Sequence, residues 1–374
     1  MSDRSRGAVA ELLSLADVRI GGDRPWDIQV RDERLFSRVL SGGSLALGES
    51  YMDGWWDAPS IDEMTRRIVE ARLDEKVKGL KNVIGLSLKA KFLNMQAEKR
   101  AYNIGEKHYD IGNDLYQAML DKRMNYSCAY WKDARDLDEA QEAKLELCCR
   151  KLGLEPGMSV LDIGCGWGAF AKYAAERHGA TVTGITVSKE QVALARDMCR
   201  GLPVRIELED YRSLDGRYDR VLSVGMIEHV GCKNYRAYME IVDRVLAGDG
   251  LFLLQTIGSN RSGRNGEPWM DKYIFPDGML PSPAHLTRAA EGLFVLEDWH
   301  NFGASYDPTL MAWKRNFDAN WDSLSRNGKY DDRFRRMWTY YLLTCAGSFR
   351  ARHNQLWQLL FSKRGVPGGC QSVR

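Results

Sequence analysis

Three groups of residues in this 374-residue chain have the types and spacing to do chemistry. The first is Val160-Leu161-Asp162-Ile163-Gly164-Cys165-Gly166-Trp167-Gly168, an apolar strand that turns through glycines into the helix pattern Ala169–His178. Glycines let backbone come close to a ligand, and a helix start offers unpaired N–H groups. A dinucleotide site would read G-x-G-x-x-G, with an acid ending the second strand. Here the spacing is G-x-G-x-G, and the second strand ends in Gly184-Ile185-Thr186-Val187-Ser188 without an acid. Acids stand instead before the turn, at Asp162, and after the third strand, at Asp210 in Glu209-Asp210-Tyr211-Arg212. The second group is Glu228, which follows the fourth strand at the edge where open sheets bind ligands. The third is Cys128, between Tyr126 and Trp131, which reads either as a small buried hydrophobe or as a hydrogen-bonding wall. Eight scattered cysteines form no C-x-x-C and six histidines show no ligand spacing, so no metal site is expected.

Strands and helices must alternate to place these groups on one edge. Helix Asp138–Leu152 leads to strand Ser159–Ile163, helix Ala169–His178, strand Thr181–Val187 and helix Lys189–Arg200. Strands Val204–Leu208 and Tyr218–Val224, helix Tyr235–Leu246 and strand Leu251–Gln255 follow. The pattern predicts an α/β fold with a doubly wound parallel sheet, its glycine turns at the carboxyl edge. Phe294–Trp299 and Trp357–Lys363 supply closing strands. The 259–345 region reads as helical insertions over the site, a lid carrying Trp269, Tyr273, Tyr306 and Trp313. Residues 1–95 are expected to form a small, mostly helical N-terminal domain and linker, and residues 96–374 the catalytic domain. Met64–Arg100 has apolar residues three to five apart and a net charge of +6. It reads either as a solvated linker helix or as a basic amphipathic element on an anionic membrane surface.

Composition narrows the classes. A net charge of +2 gives no global footprint for nucleic acid. The longest stretch without Asp, Glu, Lys or Arg is Met337–Phe349, short of the ~20 apolar residues that a spanning helix needs. Scattered thiols and the lack of an apolar leader predict a reduced, cytoplasmic protein.

The glycine turn with its two acids resembles the S-adenosylmethionine methyltransferase class. The resemblance implies a methyltransferase-type Rossmann sheet, with Gly164, Gly166 and Gly168 under the methionine and ribose. It implies Asp210 on the adenine amine, Tyr211 beside the ring, and Asp162, Thr186 and Gln191 in the same cofactor site. Further stretches are more specific: His108-Tyr109-Asp110-Ile111-Gly112-Asn113-Asp114, Tyr126-Ser127-Cys128-Ala129-Tyr130-Trp131, Ser223-Val224-Gly225-Met226-Ile227-Glu228-His229-Val230-Gly231, Asp271-Lys272-Tyr273-Ile274-Phe275-Pro276 and Glu297-Asp298-Trp299-His300-Asn301-Phe302-Gly303. From about residue 50 onward these resemble the cyclopropane-fatty-acid synthase family. That resemblance implies methylene transfer from S-adenosylmethionine across a cis double bond of a membrane phospholipid's acyl chain, with bicarbonate as base. It places the bicarbonate on Cys128, Glu228, Tyr306 and the backbone of Ile257, and the cofactor also on Tyr126 and Ser127. It implies a homodimer in peripheral contact with the inner face of the membrane. One departure stands out: Gln255 occupies the position of the family's usual His, and an amide donates N–H but cannot pass a proton.

The implied chemistry sets its own demands. An isolated alkene is a poor nucleophile, so methyl transfer gives a carbocation that must lose a proton and close. Such a site excludes water, offers aromatic faces and holds a base near the new methyl. Two other readings stay open: methylation of a lipid or another acceptor without ring closure, and a cofactor- or lipid-binding protein whose active site has decayed.

Overall fold

The protein is described by a computed structural model over residues 2–73, 111–263, 266–326 and 328–374. His108, Tyr109, Asp110 and most of the basic Met64–Arg100 segment lie outside the described residues.

The alternating pattern of residues 137–259 supplies five strands of a seven-stranded sheet, and two later segments complete it. The strands are β1 (Ser159–Ile163), β2 (Thr181–Thr186), β3 (Val204–Leu208), β4 (Tyr218–Val224), β5 (Leu246–Ser259), β6 (Val295–Asn301) and β7 (Asn354–Ser362), in the order β3-β2-β1-β4-β5-β7-β6. The pairs β3–β2, β2–β1, β1–β4 and β4–β5 are parallel, while β6 and β7 pair antiparallel. The expected closing strands at Phe294–Trp299 and Trp357–Lys363 are thus present. Strand order reverses beside β1, and a crevice at such a switch point is where open sheets bind ligands.

Side chains alternate across the sheet, so each strand feeds two cores. Leu161, Val221, Phe252, Leu254 and Leu359 pack on one side with Tyr235, Tyr238 and Val242 of helix Tyr235–Val245. Val160, Val182, Leu222, Leu253 and Leu360 pack on the other with Ala171 and Ala174 of helix Ala169–His178 and Cys148 of helix Leu137–Lys151.

The chain divides into two compact units, but not at a single boundary near residue 95. The helical unit holds the N-terminal residues together with Glu267–Pro276 and Leu310–Asn354; the sheet unit holds the rest. The reason is packing. Gly347 of helix Asp332–Arg350 presses so closely on helix Ile61–Glu70 that a Cβ would lie 2.2 Å from Asp62 O, and Arg350 pairs with Asp62 at 2.7 Å. Trp269 lies against Gly48 and Tyr340, and Tyr273 donates to Glu49 at 2.9 Å. Trp269 and Trp313 are buried core residues of the helical unit, and Tyr273 is half-buried in the same unit. Cys345 also lies in that unit, on helix Asp332–Arg350.

Candidate cofactor and catalytic site

A cavity opens at the carboxyl ends of β1, β2 and β4, walled by the glycine turn and by the loop before helix Leu137–Lys151. Gly164 and Gly166 stand at positive φ in its wall, a conformation that costs a side-chain-bearing residue energy. A Cβ at Gly166 would meet nothing within 4 Å, so that backbone is bare to the cavity. Gly168 is different. It caps helix Ala169–His178 and does not line the cavity; a Cβ there would come 3.2 Å from Cys199 Sγ.

The remaining cofactor candidates, Tyr126, Ser127, Asp162, Thr186, Gln191, Asp210 and Tyr211, all line this cavity. Several are locked by their neighbours. Thr186 donates its hydroxyl to Gln191 Oε1 at 2.6 Å, so the Gln191 amide presents N–H groups as donors. Asp210 accepts from the Arg212 amide at 2.9 Å and pairs with its guanidinium at 2.8 Å. The same guanidinium lies over the Tyr211 ring, 4.7 Å from its centroid. Tyr126 packs edge-on against Tyr116, which in turn meets Trp167.

Asp162 is fully buried, and burial pushes its carboxyl up to about 7, against the attraction of Lys144. Lys144 was not singled out in the sequence, though a signal was there. It occupies the buried stripe of its helix, between Gln141 and Cys148 at spacings of three and four. A lysine on an apolar stripe is an anomaly that asks for a partner. Its Nζ donates to Asn125 Oδ1 at 2.8 Å and to Ser127 Oγ at 3.1 Å.

None of the five catalytic candidates lines the cavity, but two are chain neighbours of residues that do. Cys128 follows Ser127 and Glu228 precedes His229, both of which line it. Glu228 sits in a short 3₁₀ turn after β4, and its Oε1 accepts the Ile257 N–H at 2.8 Å. Oε2 is buried and has no hydrogen-bond partner among the described residues. Burial pushes this carboxyl up to about 7; its own amide, that of Ile257 and the nearby Thr256 hydroxyl pull the other way. The Ile257 amide is therefore committed to Glu228, and the Thr256 hydroxyl donates to Ile257 O at 2.9 Å.

Cys128 is wholly buried, and burial raises its thiol well above the ordinary range, so it is a neutral S–H. Its loop is tied to Tyr306 through Thr309, one turn along the same helix. Thr309 Oγ1 accepts from the Ala129 amide at 3.2 Å and from Trp131 Nε1 at 2.9 Å, while donating to Ser305 O at 2.7 Å. Gln255 lies two residues before Ile257 on β5, hence on the same face. Its Oε1 accepts from Gln358 Nε2 at 2.8 Å. Thr309 and Gln358 carried no sequence signal: both matter through contacts more than a hundred residues away along the chain.

A family model described as mycolic acid cyclopropane synthetase matches residues 96–359. The chain is 52% identical to the cyclopropane-fatty-acyl-phospholipid synthase of Escherichia coli strain K12, over 97% of this chain and 94% of that protein. It is 33% identical to the tuberculostearic acid methyltransferase of Mycobacterium tuberculosis, over 90% and 83% of the two chains. Among solved structures, the cyclopropane synthase MmaA2 from Mycobacterium tuberculosis superposes with a TM-score of 0.65 at 29% identity, covering 70% of this chain and 98% of that one. Mycolic acid cyclopropane synthase CmaA1, complexed with SAH and CTAB, gives 0.63 at 31% identity, with the same coverage. By these matches the chain belongs to the mycolic acid cyclopropane synthetase family and is an S-adenosylmethionine-dependent methyltransferase.

Proposed function

We propose that this enzyme transfers a methylene group from S-adenosylmethionine across a cis double bond of an unsaturated phospholipid acyl chain and closes a cyclopropane ring. The observation that carries the reading is the Glu228 carboxyl. It adjoins the cofactor cavity, with one oxygen held by Ile257 N–H and the other buried without a partner among the described residues.

The residues fit the cofactor. Bare backbone at Gly166, the donors of Gln191, and the unpaired buried carboxylate of Asp162 suit a ribose and a cationic sulfonium amino acid. Bound S-adenosylmethionine supplies an electrophilic methyl. This chain's residues would orient that methyl, keep water out and hold the ion that takes up the proton. Cys128 and a protonated Glu228 are neutral hydrogen-bond donors, and such a wall suits bicarbonate better than charged carboxylate would. Together with Tyr306 they would hold that ion, which would supply a base. Gln255 stands where relatives carry His and adds amide donors instead.

The reading extends to the surroundings. Acyl chains stay in the bilayer, so the enzyme works in peripheral contact with it, as a homodimer. The basic Met64–Arg100 segment supplies the electrostatic part of that contact. Among the described residues no helix is long and apolar enough to cross a membrane.

The test is an incubation of the purified protein with S-adenosylmethionine and vesicles of unsaturated phospholipid. Ring closure adds CH2 to the acyl mass and removes its olefinic proton signals. Retained olefinic signals with the same mass gain would give the methyltransferase reading without closure. Cofactor binding with no mass gain would support the decayed-enzyme reading. Sedimentation with anionic vesicles should fall as salt rises; binding indifferent to salt would remove the basic segment from the account.

A further inference from the structure

Asp162 and Lys144 face the same cavity with opposite charge, and neither is compensated. Each is only 2% exposed. The Lys144 ammonium has two neutral partners, Asn125 Oδ1 and Ser127 Oγ, and no carboxylate within ion-pair distance among the described residues. Its first partner cannot flip: Asn125 Nδ2 donates to Asp121 Oδ2 at 2.9 Å, which fixes Oδ1 toward the lysine. Two donations leave one N–H of the ammonium uncommitted. The Asp162 carboxylate makes no hydrogen bond and no ion pair among the described residues. Two buried, opposite, unpaired charges kept apart in one cavity are costly. Burial drives each toward shedding its charge, Asp162 upward and Lys144 downward. A ligand carrying both signs would reverse that cost at both ends.

We propose that Lys144 is the anchor for the α-carboxylate at the methionyl end of the cofactor, acting with Ser127, while Asp162 faces the cofactor's cationic groups. The inference rests on the cofactor reading above and deepens it. Lys144 thereby sets how far the methionyl chain reaches into the cavity, and so where the sulfonium lies relative to Cys128 and Glu228.

The experiment compares calorimetric affinity for S-adenosylmethionine and for its decarboxylated analogue, which differ only in that carboxylate. The unaltered enzyme should prefer the carboxylate form by about 10- to 100-fold, the range of a hydrogen bond between charged groups. Lys144→Met should erase the preference while leaving affinity for the decarboxylated probe within about threefold. Lys144→Arg should keep part of it. A preference that persists in Lys144→Met overturns the proposal. So does an equal loss for both probes, which would mean that Lys144 only supports the Asn125–Ser127 loop. An unaltered enzyme that binds neither probe overturns the cofactor reading itself, a result distinct from both.

Discussion

Gln358 Nε2 donates to Gln255 Oε1 at 2.8 Å, deep between β5 and β7, where both side chains are buried. The bond settles which way the Gln255 amide points, because its oxygen is taken and its NH2 group must serve elsewhere. Gln358→Leu would strand that oxygen and lower stability by about 1–3 kcal/mol, read from urea unfolding. The double variant Gln255→Leu with Gln358→Leu should lose less than the sum of the single changes, since apolar replacement of both partners leaves no orphan.

Glu228 gives a pH signature. Its folded value of about 7 lies above the ordinary 4.5, so between those values the native state keeps a proton that the unfolded chain releases. The stability carried by that proton is whole below pH 4.5 and is lost as pH rises to 7. Glu228→Gln removes the loss. The variant should match the parent near pH 4.5 and exceed it by about 3 kcal/mol at pH 8, while turnover falls about 100-fold or more. Denaturant titrations at the two pH values check the sign; a gap that opens on the acid side instead would refute the account.

Thr309 offers a separation of roles. It ties the Cys128 loop to the helical turn that Tyr306 begins, yet it does not line the cofactor cavity. Thr309→Val leaves the Ala129 and Trp131 N–H groups without their acceptor. Stability should drop by about 1–3 kcal/mol and turnover should fall, with cofactor affinity by calorimetry within a factor of three. A weakened cofactor site with intact turnover would contradict the placement.

Gly48 tests the core of the helical unit. A Cβ there would sit 2.4 Å from Trp269 Cδ1, far inside contact distance. Gly48→Ala should cost about 1–3 kcal/mol through overpacking, and Trp269→Phe in the same chain should recover part of it. Thermal melting of the parent and the two variants decides.

The sheet was legible because its signals are local. Alternating apolar runs, glycine turns and caps place β1 through β5 within a residue or two, apart from a longer β5, and the cofactor candidates fall at strand ends. Both antiparallel closing strands were legible as apolar runs. The helical unit was not, because it joins three stretches that lie far apart in the chain, and no periodicity reports a partner hundreds of residues away. Nothing near Trp269 in the sequence names Gly48 as the residue its ring packs against. Within the site, Cys128 and Glu228 carried their own motifs. The commitment of Ile257 N–H to Glu228 did not, since one backbone amide looks like any other in a sequence. Lys144 lay between these cases, visible as a charge on an apolar stripe but without a stated partner.

The placement of β7 between β5 and β6 bears on how the chain is made. Residues 354–362 follow both neighbouring strands in the chain, so until they are made β6 has no sheet partner and β5 has only β4. Helix Ile61–Glu70 likewise waits for helix Asp332–Arg350. Folding of the helical unit therefore cannot finish in simple N-to-C order. The apolar surfaces that the later stretches cover stay bare on the nascent polypeptide until those stretches are made.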